Sequence, residues 1–421
     1  MNNQTPVPVE PILYDGKLGE QYKIFVLNVC LGLITLGIYH FWGKTRQRRY
    51  TTSSFSIFGD RFEYTGYGGQ LFWGMLKALV IILIFSIPAF WAFHNIDVIT
   101  TEYKNTHKEE TTESTKAKES TIKKDFKEDE IDIDKLPAQQ KSKYLISLSI
   151  ASFYVIFFYA FLPFVAVYGS LRYRVTHSRW RGIRGHMGGS TILYGLYGLF
   201  HLFLIILTFG LWIPMADALK YKYKMHRISF GNQNAIFKPD YGNLFGTHLL
   251  SWFGGCIVGL IVGLIIGFTL YAVLPDGQFA SITDAQTSGL DAQTSKVAAK
   301  AGVATACGVF AGFFCIFAAR FWYKAAFVRM RYNALTFGNI GFNCQISGWG
   351  LFKQTFGNGL IYIFTLGLGY PIVLQRKMKF FCKHTTITGD MNNSPILQAV
   401  GEKDTQGEGI SSILDISIGL F

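Results

Sequence analysis

Charge is what this sequence has least of. Only 16% of its 421 residues are Asp, Glu, Lys or Arg, against about 25% in an ordinary soluble domain. Proline is scarce as well, with 11 in the whole chain. The six cysteines, Cys30, Cys256, Cys307, Cys315, Cys344 and Cys382, form no CxxC pair and no metal-ligand spacing, so they read as reduced and structural. The first 20 residues hold no apolar run, and no cleavable signal peptide is expected. HExxH, GxSxG and carboxylates paired within an apolar segment are all missing. The glycines of Tyr67-Gly68-Gly69-Gln70 lack the spacing of a phosphate loop. An enzyme is therefore not expected, and neither a cofactor nor a bound metal.

What is present is apolar. Half the residues are hydrophobic, with 38 Phe, 22 Tyr and 44 Gly. Apolar segments of roughly 20 residues recur at 24–42, 71–94, 144–171, 192–216, 247–274, 301–328 and 351–375, the pattern of a polytopic membrane protein. A polar stretch, 95–143, separates the second from the third and is too polar to bury a core. A shorter one, 275–300, separates the fifth from the sixth.

The net charge of +13 gathers beside these segments. Segment 172–191 has five basic residues and no acid, and segment 320–353 likewise. Positive charge flanking apolar spans marks cytoplasmic loops, with anionic lipid headgroups as the expected contacts. Nucleic acid is not expected. The headgroup candidates are Arg46, Arg48, Arg49, Arg172, Arg174, Arg179, Arg181, Arg184, Arg329 and Arg331.

Five times a basic cluster is followed by a short β-like stretch with turn residues, then by a Gly-aromatic lead into apolar sequence. The clusters begin at Arg48, Arg172, Lys224, Arg329 and Lys377. The second and fourth lie 157 residues apart, the third and fifth 153. A duplicated unit of three apolar segments follows, with a third copy cut short. The expected fold is an all-α polytopic membrane protein with small cytoplasmic β-hairpins. Its parts are a polar N-terminal segment 1–20, a first membrane repeat 21–191, a second 192–350, a truncated third 351–389 and an acidic tail 390–421.

The first apolar segment of each unit carries a shared break: Thr35-Leu36-Gly37, Thr208-Phe209-Gly210 and Thr365-Leu366-Gly367. If these three segments turn back, all five basic clusters share one face. Four full spans plus three re-entrant segments is the favoured reading, and seven full spans is the rival.

The run Thr35-Leu36-Gly37-Ile38-Tyr39-His40-Phe41-Trp42-Gly43-Lys44-Thr45-Arg46, followed by Arg49-Tyr50 and Asp60-Arg61-Phe62-Glu63-Tyr64-Thr65-Gly66, resembles the YjgN-like family over roughly residues 12–390. That resemblance implies a bacterial inner-membrane protein with several spans. The family is a domain of unknown function and brings no activity or catalytic residue with it.

Two further features stand out. Gly255, Gly259, Gly263 and Gly267 recur at i+4, as do Ala304, Gly308 and Gly312. Such stripes let helix backbones approach closely in lipid; a substrate groove is the sharper alternative. His201 sits deep in apolar sequence, where an ionisable group is costly and points to function. Its plainer reading is a neutral imidazole bonded near the Thr208-Phe209-Gly210 break. His40 and His248 read as interfacial, Arg320 as snorkelling, and Asp217 with Lys220 as a helix pair. The leading expectation is transport of a small solute or lipid; the alternative is a lipid-organising or partner-binding scaffold.

Overall fold

The structure is a computed structural model, and it describes residues 9–115, 133, 136–273 and 292–389. Strands β1 (Val9–Pro11) and β2 (Leu13–Tyr14) open the chain, then helices α1 (Leu18–Ile34) and α2 (His40–Ser53). A hairpin, β3 (Phe55–Ile57) and β4 (Asp60–Tyr64), leads to the long helices α3 (Gly68–Thr115) and α4 (Ala138–Thr176). The hairpin β5 (Ser178–Trp180) and β6 (Ile183–Met187) leads to α5 (Thr191–Leu207) and α6 (Ile213–Met225). Then come β7 (Ile228–Phe230), β8 (Gln233–Phe237), α7 (Tyr241–Val273) and α8 (Ala292–Asn333). The last elements are β9 (Leu335–Phe337), β10 (Ile340–Cys344), α9 (Gly348–Phe364), α10 (Tyr370–His384) and β11 (Thr385–Thr388).

Four helices are long and apolar enough to cross a membrane: Gly68–Asn105, Ala138–Thr176, Tyr241–Val273 and Lys300–Asn333. Their sides are paved with exposed apolar groups, Phe90 at 79% and Phe268 at 77%, which a lipid environment accommodates and water does not. Helix α5 is apolar but has 17 residues, short of the roughly 20 that a spanning helix uses. The stretch 95–143 is less purely polar loop than its composition suggests. Helix α3 continues to Thr115 and α4 starts at Ala138, and Asn95, Ile99 and Leu136 are buried. Gln140 donates to Glu102 across the pair at 3.2 Å.

The hairpins are not separate, and this corrects the expected fold. All eleven strands form one antiparallel sheet in the order β1-β11-β10-β9-β8-β7-β6-β5-β4-β3-β2. Its two ends are the same piece of chain: Val9 pairs with Thr388 and Leu13 with Ser56. The N-terminal strand thus closes the sheet on itself. The physical reason is that an isolated hairpin leaves two unpaired edges, and joining hairpins side by side removes them. Five backbone hydrogen bonds stitch the junctions in one register. Asp15 donates to Ser54 at 3.1 Å, Thr65 to His177 at 2.8 Å, Gly188 to Arg227 at 3.0 Å, Lys238 to Ala334 at 3.0 Å and Gln345 to His384 at 2.9 Å.

Residues paired across antiparallel strands share a face. One face is mostly apolar, carrying Phe62 opposite Trp180, Met187 opposite Ile228, and Phe237 opposite Leu335. Tyr64, Trp180, Met187, Phe237 and Ile387 on it are buried. The other face is largely polar, with Glu63 opposite Arg179 and His186 opposite Ser229. The hairpin turns Phe58-Gly59 and Arg181-Gly182 hold both residues at positive φ, the primed turn that matches strand twist. Helices α2, α4, α6, α8 and α10 each run into a strand within two residues, and α3, α5, α7 and α9 each leave one. The sheet therefore lies at one end of the helices, and all five basic clusters lie at that end with it.

Candidate functional site

The three Thr-x-Gly segments fold identically. Leu36, Phe209 and Leu366 adopt φ of 48°, 49° and 49°, and Gly37, Gly210 and Gly367 each 88°. A bulky residue in that region is strained, so the surrounding bonds must hold it. Thr35 donates its hydroxyl to Leu31 O at 2.7 Å and accepts from Tyr39 N–H at 2.9 Å. Thr208 does the same with Leu204 and Trp212 at 2.7 and 3.1 Å. Thr365 repeats it with Ile361 and Gly369 at 2.6 and 2.8 Å. The glycine amides reach back five residues, Gly37 to Gly32, Gly210 to Ile205 and Gly367 to Tyr362. The turn thus satisfies its own backbone N–H groups internally, which favours irregular chain in an apolar medium. The tips are apolar and open, Leu36 at 94% and Leu366 at 92% exposed.

His201 belongs to this architecture. It lies seven residues before Thr208, where the other two turns have Asn28 and Asn358. Each of the three ties its two helices together. Asn28 Nδ2 donates to Gly43 O at 3.0 Å, Trp212 Nε1 donates to His201 Nδ1 at 3.1 Å, and Arg376 Nε donates to Asn358 Oδ1 at 3.0 Å. An accepting Nδ1 fixes the His201 proton on Nε2 and leaves the ring neutral. That nitrogen is buried and has no hydrogen-bond partner among the described residues.

Around His201 the structure gathers polar groups that the sequence reading kept apart. His248 is fully buried rather than interfacial. Its Nδ1 accepts from Arg320 Nη1 at 3.2 Å, so Arg320 turns to α7 instead of snorkelling. The His248 ring meets Tyr323 edge-on at 5.0 Å, and Tyr323 donates to Asp217 Oδ2 at 2.9 Å. Asp217 also pairs with Lys220 at 3.4 Å, the expected helix contact. The Gly210 carbonyl lies beside the His248 ring. His248 is seven residues into α7, about 10 Å of helix, so the α5–α6 tip stops well short of that helix's far end. Arg320, flanked by Ala319 and Phe321, was the available signal: a lone charge inside an apolar run asks for a buried partner.

Near the sheet, burial between the rings of Tyr194 and Tyr221, aided by the Arg331 guanidinium, pushes Lys224 down to about 7. Because the folded value lies below that of free lysine, the charged group opposes folding in full below about pH 7, and that opposition fades as pH rises towards the free-lysine value.

The predicted headgroup arginines divide. Arg49, Arg172 and Arg329 donate to the carbonyls of Gly66, Gly189 and Ile346, at 3.2, 3.2 and 2.6 Å, each seventeen residues on. Arg174 bonds to Ser170, and Arg181 pairs with Asp60 while covering Trp180 at 4.7 Å. Arg331 stacks 4.7 Å over Tyr221. Arg179 and Arg184 are opposite one another on the polar sheet face. Arg48 lies on α2 with one face partly covered, and Arg46 is exposed on the same helix. The glycine stripes meet: a Cβ at Gly263 would stand 2.7 Å from Gly308 O, and one at Gly259 2.7 Å from Gly312 O. Gly255 faces Ala319 and Gly267 faces Ala304. All six cysteines are unpaired. Among the described residues no three His, Cys, Asp or Glu side chains converge as a metal site.

The comparisons agree with a membrane protein. Over 74 residues the chain is 35% identical to the inner membrane protein YjgN of Escherichia coli O157:H7, covering 18% of this chain and 19% of that protein. Over 73 residues it is 33% identical to YjgN of Salmonella typhimurium, 17% and 18% of the two chains. The matched stretch thus spans about a fifth of these curated relatives. No solved structure matches. The sequence pattern of the family described as bacterial protein of unknown function (DUF898) matches residues 9–413, nearly the whole chain. The protein therefore belongs to that family, the YjgN-like membrane proteins.

Proposed function

We infer that the protein is a non-catalytic membrane platform that organises anionic lipid beneath its closed sheet. One observation carries this reading: all five basic clusters converge on one sheet at one end of four membrane-capable helices. A single sheet cannot straddle a bilayer, so the long helices cross as two pairs and the three Thr-x-Gly hairpins dip in from the sheet side. The basic end faces the cytoplasm. The equivalent turns and junction bonds support a three-segment unit, duplicated and then truncated.

Lipid extracted from the purified protein is expected to be enriched in anionic phospholipid over the source membrane. Lys377, Lys379 and Lys383 are exposed on α10. Changing all three to Gln should reduce the enrichment while costing under about 1 kcal/mol of stability, as for surface charges generally. Identical lipid in variant and wild type would sink the platform.

The buried His201 and His248, with the partly exposed Asp217 and Arg320 near them, favour a second reading, transport coupled to protons. The clamp role separates the two. In proteoliposomes carrying a pH-sensitive dye, transport predicts that wild type passes protons and that His201→Asn and His201→Leu both stop. On the platform reading neither form passes protons. There His201→Asn keeps the folded yield, because Asn fills that position in the sister hairpins, and His201→Leu loses about 1–2 kcal/mol through an unsatisfied Trp212 N–H.

A further inference from the structure

We propose that the cleft between α1, α2 and the start of α3 is a specific site for one phosphate-bearing anion, the headgroup of an anionic phospholipid. The proposal rests on the platform reading and says where its most selective contact lies. The cleft measures ≈ 580 Å³. Trp42, Arg46, Arg49 and Ser53 line it from α2, spaced by three or four residues and so on one helix face. Ile24 and Trp42 give it an apolar side, and Arg46 and Arg49 a doubly positive one. That is the polarity of a lipid at the level where its phosphate meets its glycerol.

The two arginines differ in role. Arg49 is held in place by its bond to Gly66 O and lies 5.9 Å from the Tyr67 ring. Arg46 is exposed and makes no hydrogen bond or ion pair among the described residues. A fixed guanidinium beside an open one suits the oxygens of a phosphate, which guanidinium binds in pairs. Gly68 and Gly69, the first residues of α3, also line the cleft; Gly68 packs against Trp42, and Gly69 leaves open space beside it. Tyr67 and Trp42, 59% and 40% exposed, suit the headgroup layer where such rings collect.

The site is particular to this hairpin. Counting back nine residues from each strand that follows a helix, the position of Arg46 is filled elsewhere by Gly169, Leu219 and Ala326. In the fifth case it is Arg376, already bonded to Asn358. The other sheet–helix junctions therefore lack the open guanidinium.

The test uses the full chain in detergent, titrated with short-chain phosphatidylglycerol, short-chain phosphatidylcholine and inorganic phosphate. Binding is read by native mass spectrometry and by the shift in melting temperature. Phosphatidylglycerol should bind the wild type about tenfold or more tightly than phosphatidylcholine, and Arg46→Glu should weaken it by about the same factor. Arg46→Gln should lie between, with the melting temperature of the unliganded protein unchanged in both. Lys143→Gln, exposed on α4 at the end away from the sheet, should bind as wild type. If millimolar inorganic phosphate leaves the lipid bound, the lipid is the ligand. If phosphate competes and itself needs Arg46, the site stands and its source is a soluble phosphate. Equal binding by Arg46→Glu and wild type, or no binding of any probe, overturns the site. An Arg46-dependent site without lysine-dependent lipid enrichment would sink the platform alone.

Discussion

Removing residues 1–14 should lower the stability of the protein by roughly 5 kcal/mol. The backbone bonds that pair residues 9–14 with β11 and β3 contribute about 1 kcal/mol each. Burial of Ile12 adds about 1.5–3 kcal/mol, the usual value for such a side chain. Ile12 is 6% exposed and packs with Phe381 and Ile387. Thermal melting in detergent should fall by on the order of ten degrees. Ile12→Asp should reproduce most of the loss with the strand still present. In a cysteine-free background, cysteines at Leu13 and Ser56 should form a disulfide, because those residues are register partners. A truncated protein that melts with the wild type would mean that closure contributes nothing, and the sheet would have to be stable as an open ribbon.

Much of this fold was legible before the structure. The long apolar runs became the four long helices, and the five basic clusters marked five places where chain meets sheet. The Thr-x-Gly breaks fell where the helices turn. Closure was not legible, for a physical reason. Strands of two and three residues carry little alternation, and the N-terminal one is interrupted by Pro11 and pairs with residues almost 380 positions away. Only one local echo was available. Tyr14-Asp15-Gly16 repeats Tyr64-Thr65-Gly66, and in both the glycine lies against the tyrosine ring two residues before it. A Cβ at Gly66 would stand 2.6 Å from the Tyr64 ring.

The candidate site divides in the same way. His201 was visible because an imidazole in apolar sequence is rare, but its meaning came from register with Asn28 and Asn358, which sequence alone had not aligned. His248 lay near a segment end and looked interfacial. It is buried because Arg320 and Tyr323, more than seventy residues away, pack over it. Burial that depends on a distant helix leaves no periodic trace nearby.

The glycine stripes give the second large effect. Gly308→Leu should prevent stable pairing of α7 with α8. A Cβ there would stand 2.5 Å from Gly263 O and 3.2 Å from Gly267 Cα, both backbone atoms that cannot swing aside. The helices must separate, and in lipid no hydrophobic force resists them, since tails replace the lost contact surface. Overpacking of this kind costs about 1–3 kcal/mol in a soluble core that can relax. Here the obstruction is main chain against main chain, so the upper end is expected for Gly308→Ala and loss of folded protein for Gly308→Leu. Gly254 and Gly302 supply the control. They lie on the same two helices with nothing within 4 Å of an added Cβ. Replacing either by Ala should leave stability unchanged or raise it by up to about 1 kcal/mol through helix propensity. Yield and melting temperature of the four variants, measured side by side, test whether the stripe is a packing surface. Equal tolerance at Gly308 and Gly302 would mean that the helices do not touch there, and would reopen the stripe as a groove for a ligand. With carbonyl oxygens of each helix standing where the other's side chains would begin, the structure leaves no such groove.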